Sequence, residues 1–312
     1  GYFLSDSIAK YLFQKPELSP GLKIAFLAVI FTLIYGFVVS YLKALQKFFL
    51  WAAVQVGANL VRVIAILALF LFGLITVEVS LWTYVLTLLT GFIIGIIFLV
   101  PKDFLFVKKE NSVASELFHY NKWIASFTLV AAFSSRLDTF IGARLLTSTD
   151  IGLYSAANQL VYIVPQIIGA LGTVIAPKMA GMEASQVVAY LKKSQLLVLG
   201  LAFLGLLAAP VVAFLVPYIF GSQYVDATPP FFVLLLAMLV FLIAVPVHNV
   251  ILYYYSYPKL FFYLAIGHLV IISILGWLMI SSFGIMGAAV TVLVGTIFNF
   301  VVPTLWVLKR IK

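Results

Sequence analysis

The sequence predicts an all-α integral membrane protein, and two observations support this prediction. Hydrophobic residues make up 64% of the 312 positions and charged residues only 9%, which leaves too few polar side chains to cover a water-soluble core. Apolar runs of roughly 20 residues, the length of a membrane-spanning helix, recur along the chain. Strands of a β-barrel would be about half as long and would alternate apolar with polar residues.

The apolar runs predict about nine transmembrane helices. In chain order they are Leu22–Leu42, Phe48–Ile75, Val79–Val100, Trp123–Leu145, Ile151–Ala176, Ser194–Phe220, Ala227–Leu252, Leu260–Ser281 and Ile285–Leu308. The long polar segment Pro101–Lys122 is either a linker between two helical bundles or a loop within one bundle. Gly91 and Gly95 in the third span form a Gly-x-x-x-Gly pair, which predicts close helix packing.

The placement of basic residues predicts the orientation in the membrane. If the chain crosses at every span, Lys10, Lys15, Lys23 and Arg144 fall on one side, two arginines lie within spans, and the other thirteen of the nineteen basic residues share the opposite side. By the positive-inside rule that opposite side is cytoplasmic, so the C-terminus is inside and residue 1 is outside. We therefore expect a multi-pass protein of the cytoplasmic membrane. The same asymmetry accounts for the net charge of +9 without a nucleic-acid partner.

Arg62 is the clearest polar residue at membrane depth. Such residues are costly in lipid and usually face a cavity or a protein interior. Gln55, Asn59 and Arg62 follow the spacing i, i+4, i+7, which places them in one stripe of the second span. We interpret Arg62 as a cation that lines a cavity. The alternative is a structural pair with a carboxylate or with carbonyl groups at a helix end.

The fourth span carries a second candidate group. Arg136 and Asp138 are two residues apart, so on a regular helix they point to different faces and each needs a partner elsewhere. Ser134 shares a face with Asp138. Asp138 is either a proton or cation site or the counter-ion of an arginine on another helix.

The fifth span carries a third candidate group, in which Tyr154, Asn158, Tyr162 and Pro165 form one stripe. This stripe is either a hydrogen-bonded seam between helices or a surface that binds sugar.

Signals for catalysis and cofactors are missing from the sequence. His248 and His268 have no second ligand at metal-binding spacing, and no phosphate-binding Gly-x-x-x-x-Gly-Lys motif occurs. The loops predicted outside are too short to assemble a Ser-His-Asp set. Without cysteine the chain forms neither disulfides nor thiolate metal sites. We therefore expect a transporter that uses no metal, cofactor or ATP, and not an enzyme.

Five runs between residues 118 and 308 are more specific. They are Ser135–Leu146, Asp150–Leu160, Ala176–Met179, Leu215–Ala227 and Phe283–Val290. In order and spacing they resemble the polysaccharide biosynthesis flippase family, which belongs to the multidrug/oligosaccharidyl-lipid/polysaccharide superfamily. The first third of the chain resembles this family only in its helix pattern.

The resemblance implies two six-helix lobes that form a V around a central cavity, with both termini cytoplasmic. Nine spans would then leave three helices missing at the N-terminus. On this basis residues 1–117 are the last half of the N-terminal lobe, and residues 118–312 are the C-terminal lobe.

The resemblance also implies a function. The family moves undecaprenyl-pyrophosphate-linked oligosaccharides from the cytoplasmic to the outer leaflet by alternating access, for the biosynthesis of lipopolysaccharide and other surface polysaccharides. Its expected partners are the lipid-linked oligosaccharide, membrane lipids, a polysaccharide polymerase and glycosyltransferases. Cavity arginines in related lipid flippases are thought to hold the pyrophosphate. The residues expected here are Arg62, Asn59, Gln55, Arg136 and Asn158 for the substrate cavity, and Asp138 for ion coupling.

Two alternative functions remain. A multidrug cation antiporter of the same superfamily would carry acidic cavity residues, whereas the residues at membrane depth here include two arginines and one aspartate, which favours an anionic substrate. An O-antigen polymerase or ligase would act on the same lipid-linked sugars but would need a large outer loop, which these residues lack.

Overall fold

The described part of the chain is helical in a computed structural model. It comprises residues 1–45, 47–100, 115, 126, 128–180 and 182–310. No strand occurs within these residues, and seven of their helical stretches are long and apolar enough to cross a membrane. The predicted all-α membrane class is therefore confirmed. The number of spans stays a prediction, because part of the fourth predicted span lies outside the described residues.

The longer helices follow one another with short connections. They are α1 Ser19–Ala44, α2 Phe48–Leu71, α3 Val77–Ile94, α4 Leu137–Leu145, α5 Ser148–Val161, α6 Ile163–Ala180, α7 Ala184–Phe220, α8 Thr228–Asn249 and α9 Lys259–Leu308. The π-helical turns Gly95–Leu99 and Val250–Tyr254 extend α3 and α8. Short helical turns precede α1, and residues 128–134 are helical.

The chain divides into two compact units, Gly1–Asn111 and Ser112–Lys312. The boundary predicted between residues 117 and 118 falls outside the described residues. The assignment of the two parts to the lobes of a flippase stays a prediction.

The first unit is built on close contact between α1 and α3. A Cβ atom placed on Gly91 would lie 2.7 Å from Cε2 of Tyr35, and one on Gly95 would meet the side chain of Val38. Because both glycines lack a Cβ, the side chains of Tyr35 and Val38 pack directly against the backbone of α3, and the close packing predicted from the Gly-x-x-x-Gly pair is confirmed. Helix α3 begins at the N-cap Thr76, whose hydroxyl accepts a hydrogen bond from the backbone N–H of Val79 at 3.2 Å.

A polar cluster ties the segment before α1 to the start of that helix. The carboxylate of Asp6 accepts hydrogen bonds from the hydroxyl of Ser19 and from Nζ of Lys23, the latter at 3.0 Å. These two bonds, the Ser19 bond first, hold the pKa of Asp6 below its ordinary value of 3.8.

Helix α8 forms the centre of the second unit. In the most apolar 18 residues of the stretch Ser222–Tyr254, 61% of the residues are buried. The corresponding share is 17% in each of the stretches that contain α7 and α9. Phe231, Leu234 and Leu242 of α8 are almost fully buried and belong to the same core as Ala157 of α5. A helix that is apolar on all sides, as α8 is, belongs in such an interior.

Helix α9 is two antiparallel arms, residues 259–283 and 285–308. A straight helix of 50 residues would be about 75 Å long, more than twice the roughly 30 Å of the hydrocarbon core. The chain reverses at Gly284, where φ is +57°, a conformation that favours glycine. Close approaches join Gly287 to Met279 and Gly267 to Phe298, as an antiparallel pairing requires. The reversal coincides with the predicted break between the last two spans.

Candidate functional site

The second unit contains a cavity of about 600 Å³ that combines apolar walls with many polar groups. Residues from the segment 131–138, from α5, α6 and α8, from the turn after α8, and from both arms of α9 line it. The polar lining residues are Ser134, Ser135, Arg136, Asp138, Asn158, Tyr162, His248, His268, Thr296 and Asn299. Of the residues predicted from sequence, the structure thus brings Arg136, Asp138 and Asn158 together around one cavity.

Two helix breaks border this cavity. The helix that contains residues 128–134 ends in a turn, and α4 starts at Leu137 with Arg136 as its N-cap. The expectation of a regular helix through Arg136 and Asp138 was therefore wrong. The second break, at Tyr162, separates α5 from α6. Pro165 accounts for it, because proline has no N–H to donate to the carbonyl of Val161 and its ring clashes there.

Asp138 is buried, and its side-chain hydrogen-bonding partner is a tyrosine. The hydroxyl of Tyr154 donates to Oδ2 of Asp138 at 2.5 Å. Arg136 is exposed and acts on this carboxylate electrostatically, yet no arginine lies within ion-pair distance of Asp138 in the described part of the chain. Asn158 completes this cluster, since its Nδ2 donates to the backbone carbonyl of Tyr154 at 3.3 Å.

Two histidines contribute further polar contacts at the cavity. Oγ of Ser134 and Nδ1 of His268 are 2.7 Å apart, and this hydrogen bond joins the segment before α4 to the first arm of α9. The ring of His268 also packs where Gly295 leaves space, since a Cβ there would lie 2.5 Å from its Nε2. Nε2 of His248 donates to the backbone carbonyl of Asn299 at 2.8 Å.

His248, His268, Thr296 and Asn299 were not predicted as cavity residues. Both histidines lack a second ligand at metal-binding spacing, so nothing in that spacing marked them as part of a site. Polar groups are costly at membrane depth, and this cost was the sequence signal that could have indicated these four residues as cavity residues. Among the described residues no group of three or more His, Cys, Asp or Glu could hold a metal ion.

The first unit holds the second group of predicted site residues. Nη1 of Arg62 donates to Oδ1 of Asn59 at 3.2 Å, and Nε of Arg62 donates to the hydroxyl of Thr87 at 3.2 Å. The guanidinium group lies 4.2 Å from the ring centroid of Tyr84, a cation–π contact. Gln55 is half-buried on the same helix. Both Thr87 and Tyr84 lie on α3, and the sequence analysis did not identify either of them.

The partners of Arg62 bear on the two interpretations of this residue. Within the described residues they are an amide, a hydroxyl and an aromatic ring rather than a carboxylate. A guanidinium group has five N–H donors, and two of these make hydrogen bonds to described residues. Within the described part of the chain three donors have no partner, and the role of Arg62 in substrate binding stays a prediction.

Comparison with known proteins identifies the family. The model of the family described as "Polysaccharide biosynthesis protein" matches residues 1–183, which is more than half of the chain, and the protein therefore belongs to this family. The match includes the first third of the chain as well as the runs at 135–146, 150–160 and 176–179, and it stops before the runs at 215–227 and 283–290. No curated protein and no solved structure matches the chain. Fold and family together define a multi-pass membrane protein of polysaccharide biosynthesis.

Proposed function

We propose that this protein moves a lipid-linked oligosaccharide, carried on undecaprenyl pyrophosphate, from the cytoplasmic to the outer leaflet of the cytoplasmic membrane. One observation carries the proposal: a cavity of about 600 Å³ with ten polar lining residues lies within an apolar helical unit of a polysaccharide biosynthesis family member. A polar head group needs such a polar path through the hydrocarbon core, because its desolvation there is costly.

The helix breaks support a mechanism of alternating access. Transporters commonly place substrate sites at discontinuous helices, and alternating access moves one helical bundle against the other around that site. Here the breaks at residues 135–136 and at residue 162 both border the cavity. In this proposal the second unit is one lobe of the flippase and the first unit is half of the other.

Named residues have separate roles in this proposal. Arg62 binds the pyrophosphate, since planar guanidinium donors fit phosphate oxygens in pairs, and Arg136 contacts the substrate at the cavity that it lines. Asp138 couples transport to protons or to a cation, which its burial beside a cavity supports. Gln55, Asn59 and Asn158 complete the substrate path.

The remaining parts of the proposal concern cellular context. The C-terminus is cytoplasmic by the positive-inside rule, and the protein is a transporter without catalytic activity of its own. Glycosyltransferases supply its substrate on the cytoplasmic side, and a polysaccharide polymerase consumes the product outside.

The test is translocation by the full-length protein in proteoliposomes. Lipid-linked oligosaccharide is placed in both leaflets, and its accessibility to an impermeant sugar-modifying enzyme is followed with time. We expect rapid access to the inner pool only with the protein present. A protein that extrudes cationic dyes and leaves the inner lipid-linked pool protected would be the antiporter instead.

A further inference from the structure

We infer that the cavity of the second unit binds the sugar part of the lipid-linked substrate, whereas the pyrophosphate binds elsewhere. This inference rests on the proposed function and goes beyond it by assigning one chemical part of the substrate to one cavity. Three properties of the cavity support it: the hydrogen-bonding state of its polar groups, its charge and its walls.

Several polar groups of the cavity already have partners in the protein. Tyr154 donates to Asp138, Ser134 is bonded to His268, and His248 donates to a backbone carbonyl. Such pairs form a fixed polar frame, because each group would lose a hydrogen bond if it turned toward a ligand.

Other polar groups of the cavity have no partner in the described part of the chain. These are the side-chain amide of Asn299, the hydroxyl of Tyr162 and the carbonyl oxygen of the Asn158 side chain. Asn299 is half-buried in the second arm of α9, within a predicted span, where an unpaired amide is costly. All three groups are neutral, and together they offer both donors and acceptors. Hydroxyl groups of a sugar need this combination.

The charge of the cavity argues against pyrophosphate. Among the described residues that line the cavity, Arg136 is the only arginine or lysine, and Asp138 is the only residue with a carboxylate. The two charges nearly cancel, and the carboxylate would repel a phosphate group. A pyrophosphate carries more than one negative charge and needs several donors of positive charge nearby. A neutral oligosaccharide has no such requirement.

The walls and size of the cavity agree with this assignment. Phe241 and Phe261 line it and both contact the ring of His248, with centroids 6.0 Å and 5.2 Å apart. Aromatic faces pack against the C–H face of a sugar ring, while the neutral polar groups reach its hydroxyls. The volume of about 600 Å³ lies within the range of roughly 300–1,000 Å³ typical of small-molecule sites, so it accommodates a short oligosaccharide.

The experiment measures binding of three probes to the full-length protein in nanodiscs. The probes are the lipid-linked oligosaccharide from the host cells, the free oligosaccharide released from it by mild acid, and undecaprenyl pyrophosphate. We expect Asn158→Leu and Asn299→Leu each to weaken binding of both sugar-bearing probes about tenfold, equivalent to about 1.4 kcal/mol. Binding of undecaprenyl pyrophosphate should not change, which also shows that the variants are folded.

Gln159→Leu is the matched control, because Gln159 is the exposed neighbour of Asn158 and does not line the cavity. It should leave all three affinities unchanged. Unaltered binding of the sugar-bearing probes to both asparagine variants would overturn the inference, and so would an equal loss of undecaprenyl pyrophosphate binding. If the wild type does not bind the lipid-linked oligosaccharide, the proposed function itself fails.

Discussion

Replacement of Arg62 tests the pyrophosphate contact most directly. Within the described residues, hydrogen bonds occupy two of its five N–H donors, and the other three are enough for a two-point contact with phosphate oxygens. Hydrogen bonds to charged groups contribute about 1.5–3 kcal/mol, so Arg62→Ala should reduce affinity for lipid-linked oligosaccharide by roughly ten- to hundredfold. Arg62→Lys should recover only part of this loss, since lysine cannot form the paired contact. Binding and translocation are measured per unit of membrane-inserted protein.

A purely structural Arg62 would give a different result. The arginine joins α2 to α3 through Thr87 and the ring of Tyr84, so its loss would mainly reduce the amount of folded protein. Thr87→Val is the control, because it removes one of these contacts and leaves the guanidinium group in place. Wild-type affinity and transport in Arg62→Ala, at a normal level of inserted protein, would refute the proposed contact.

Three further predictions concern topology, pH and packing. The chain has no native cysteine, so an introduced cysteine is labelled specifically. Ser222→Cys should react with an impermeant thiol reagent added outside whole cells, and Ser256→Cys should not. The reverse pattern would invert the orientation. The pKa of Asp6 is lowered in the folded state. Its carboxylate therefore stabilises the segment before α1 at any pH above the ordinary carboxyl pKa of 3.8, and this stabilisation is lost as the pH falls through the lowered pKa. Asp6→Asn should therefore speed hydrogen exchange of that segment near neutral pH and have no effect in strong acid. Gly287→Ala should destabilise the protein by about 1–3 kcal/mol in detergent unfolding, because its Cβ would overlap the backbone carbonyl of Met279. Gly152→Ala, with open space at its Cβ, should be neutral or slightly stabilising, and equal effects of the two would contradict the packing.

The membrane class was predictable from sequence because apolar length is a local property. A helix must cover the hydrocarbon thickness whatever its neighbours are, so spans such as Phe48–Ile75 matched observed helices within a few residues. The reversal at Gly284 was predictable for the same reason, since 50 apolar residues cannot form one span. The break before α4 was not, because neither proline nor glycine marks the sequence Ser134-Ser135-Arg136. At that break Ser134 bonds to His268, a residue 134 positions away, and a contact this distant in the chain leaves no local pattern in the sequence.

The partners of the charged residues were the least predictable part of the site. A charge at membrane depth is expected to face an opposite charge or a water-filled cavity, and neither expectation points to a neutral partner. The structure gives Asp138 a tyrosine hydroxyl and gives Arg62 a hydroxyl, an amide and a ring. Tyrosine and threonine are common in apolar helices, so nothing in the sequence distinguished Thr87 from its neighbours, and the stripe that contains Tyr154 did not indicate its bond to Asp138.

The neutral partners of Asp138 and Arg62 have a consequence for the proposed transport. A buried ion pair satisfies both charges, and breaking one to admit a ligand costs about 3–5 kcal/mol. A hydroxyl that donates to Asp138 orients the carboxylate without cancelling its charge, and the contacts of Arg62 likewise leave its charge uncompensated by a carboxylate within the described residues. In the proposed function Asp138 therefore keeps an electrostatic attraction for a passing cation, and Arg62 keeps one for a phosphate group. A transporter that must bind and release its substrate in every cycle needs this arrangement more than it needs a stable ion pair.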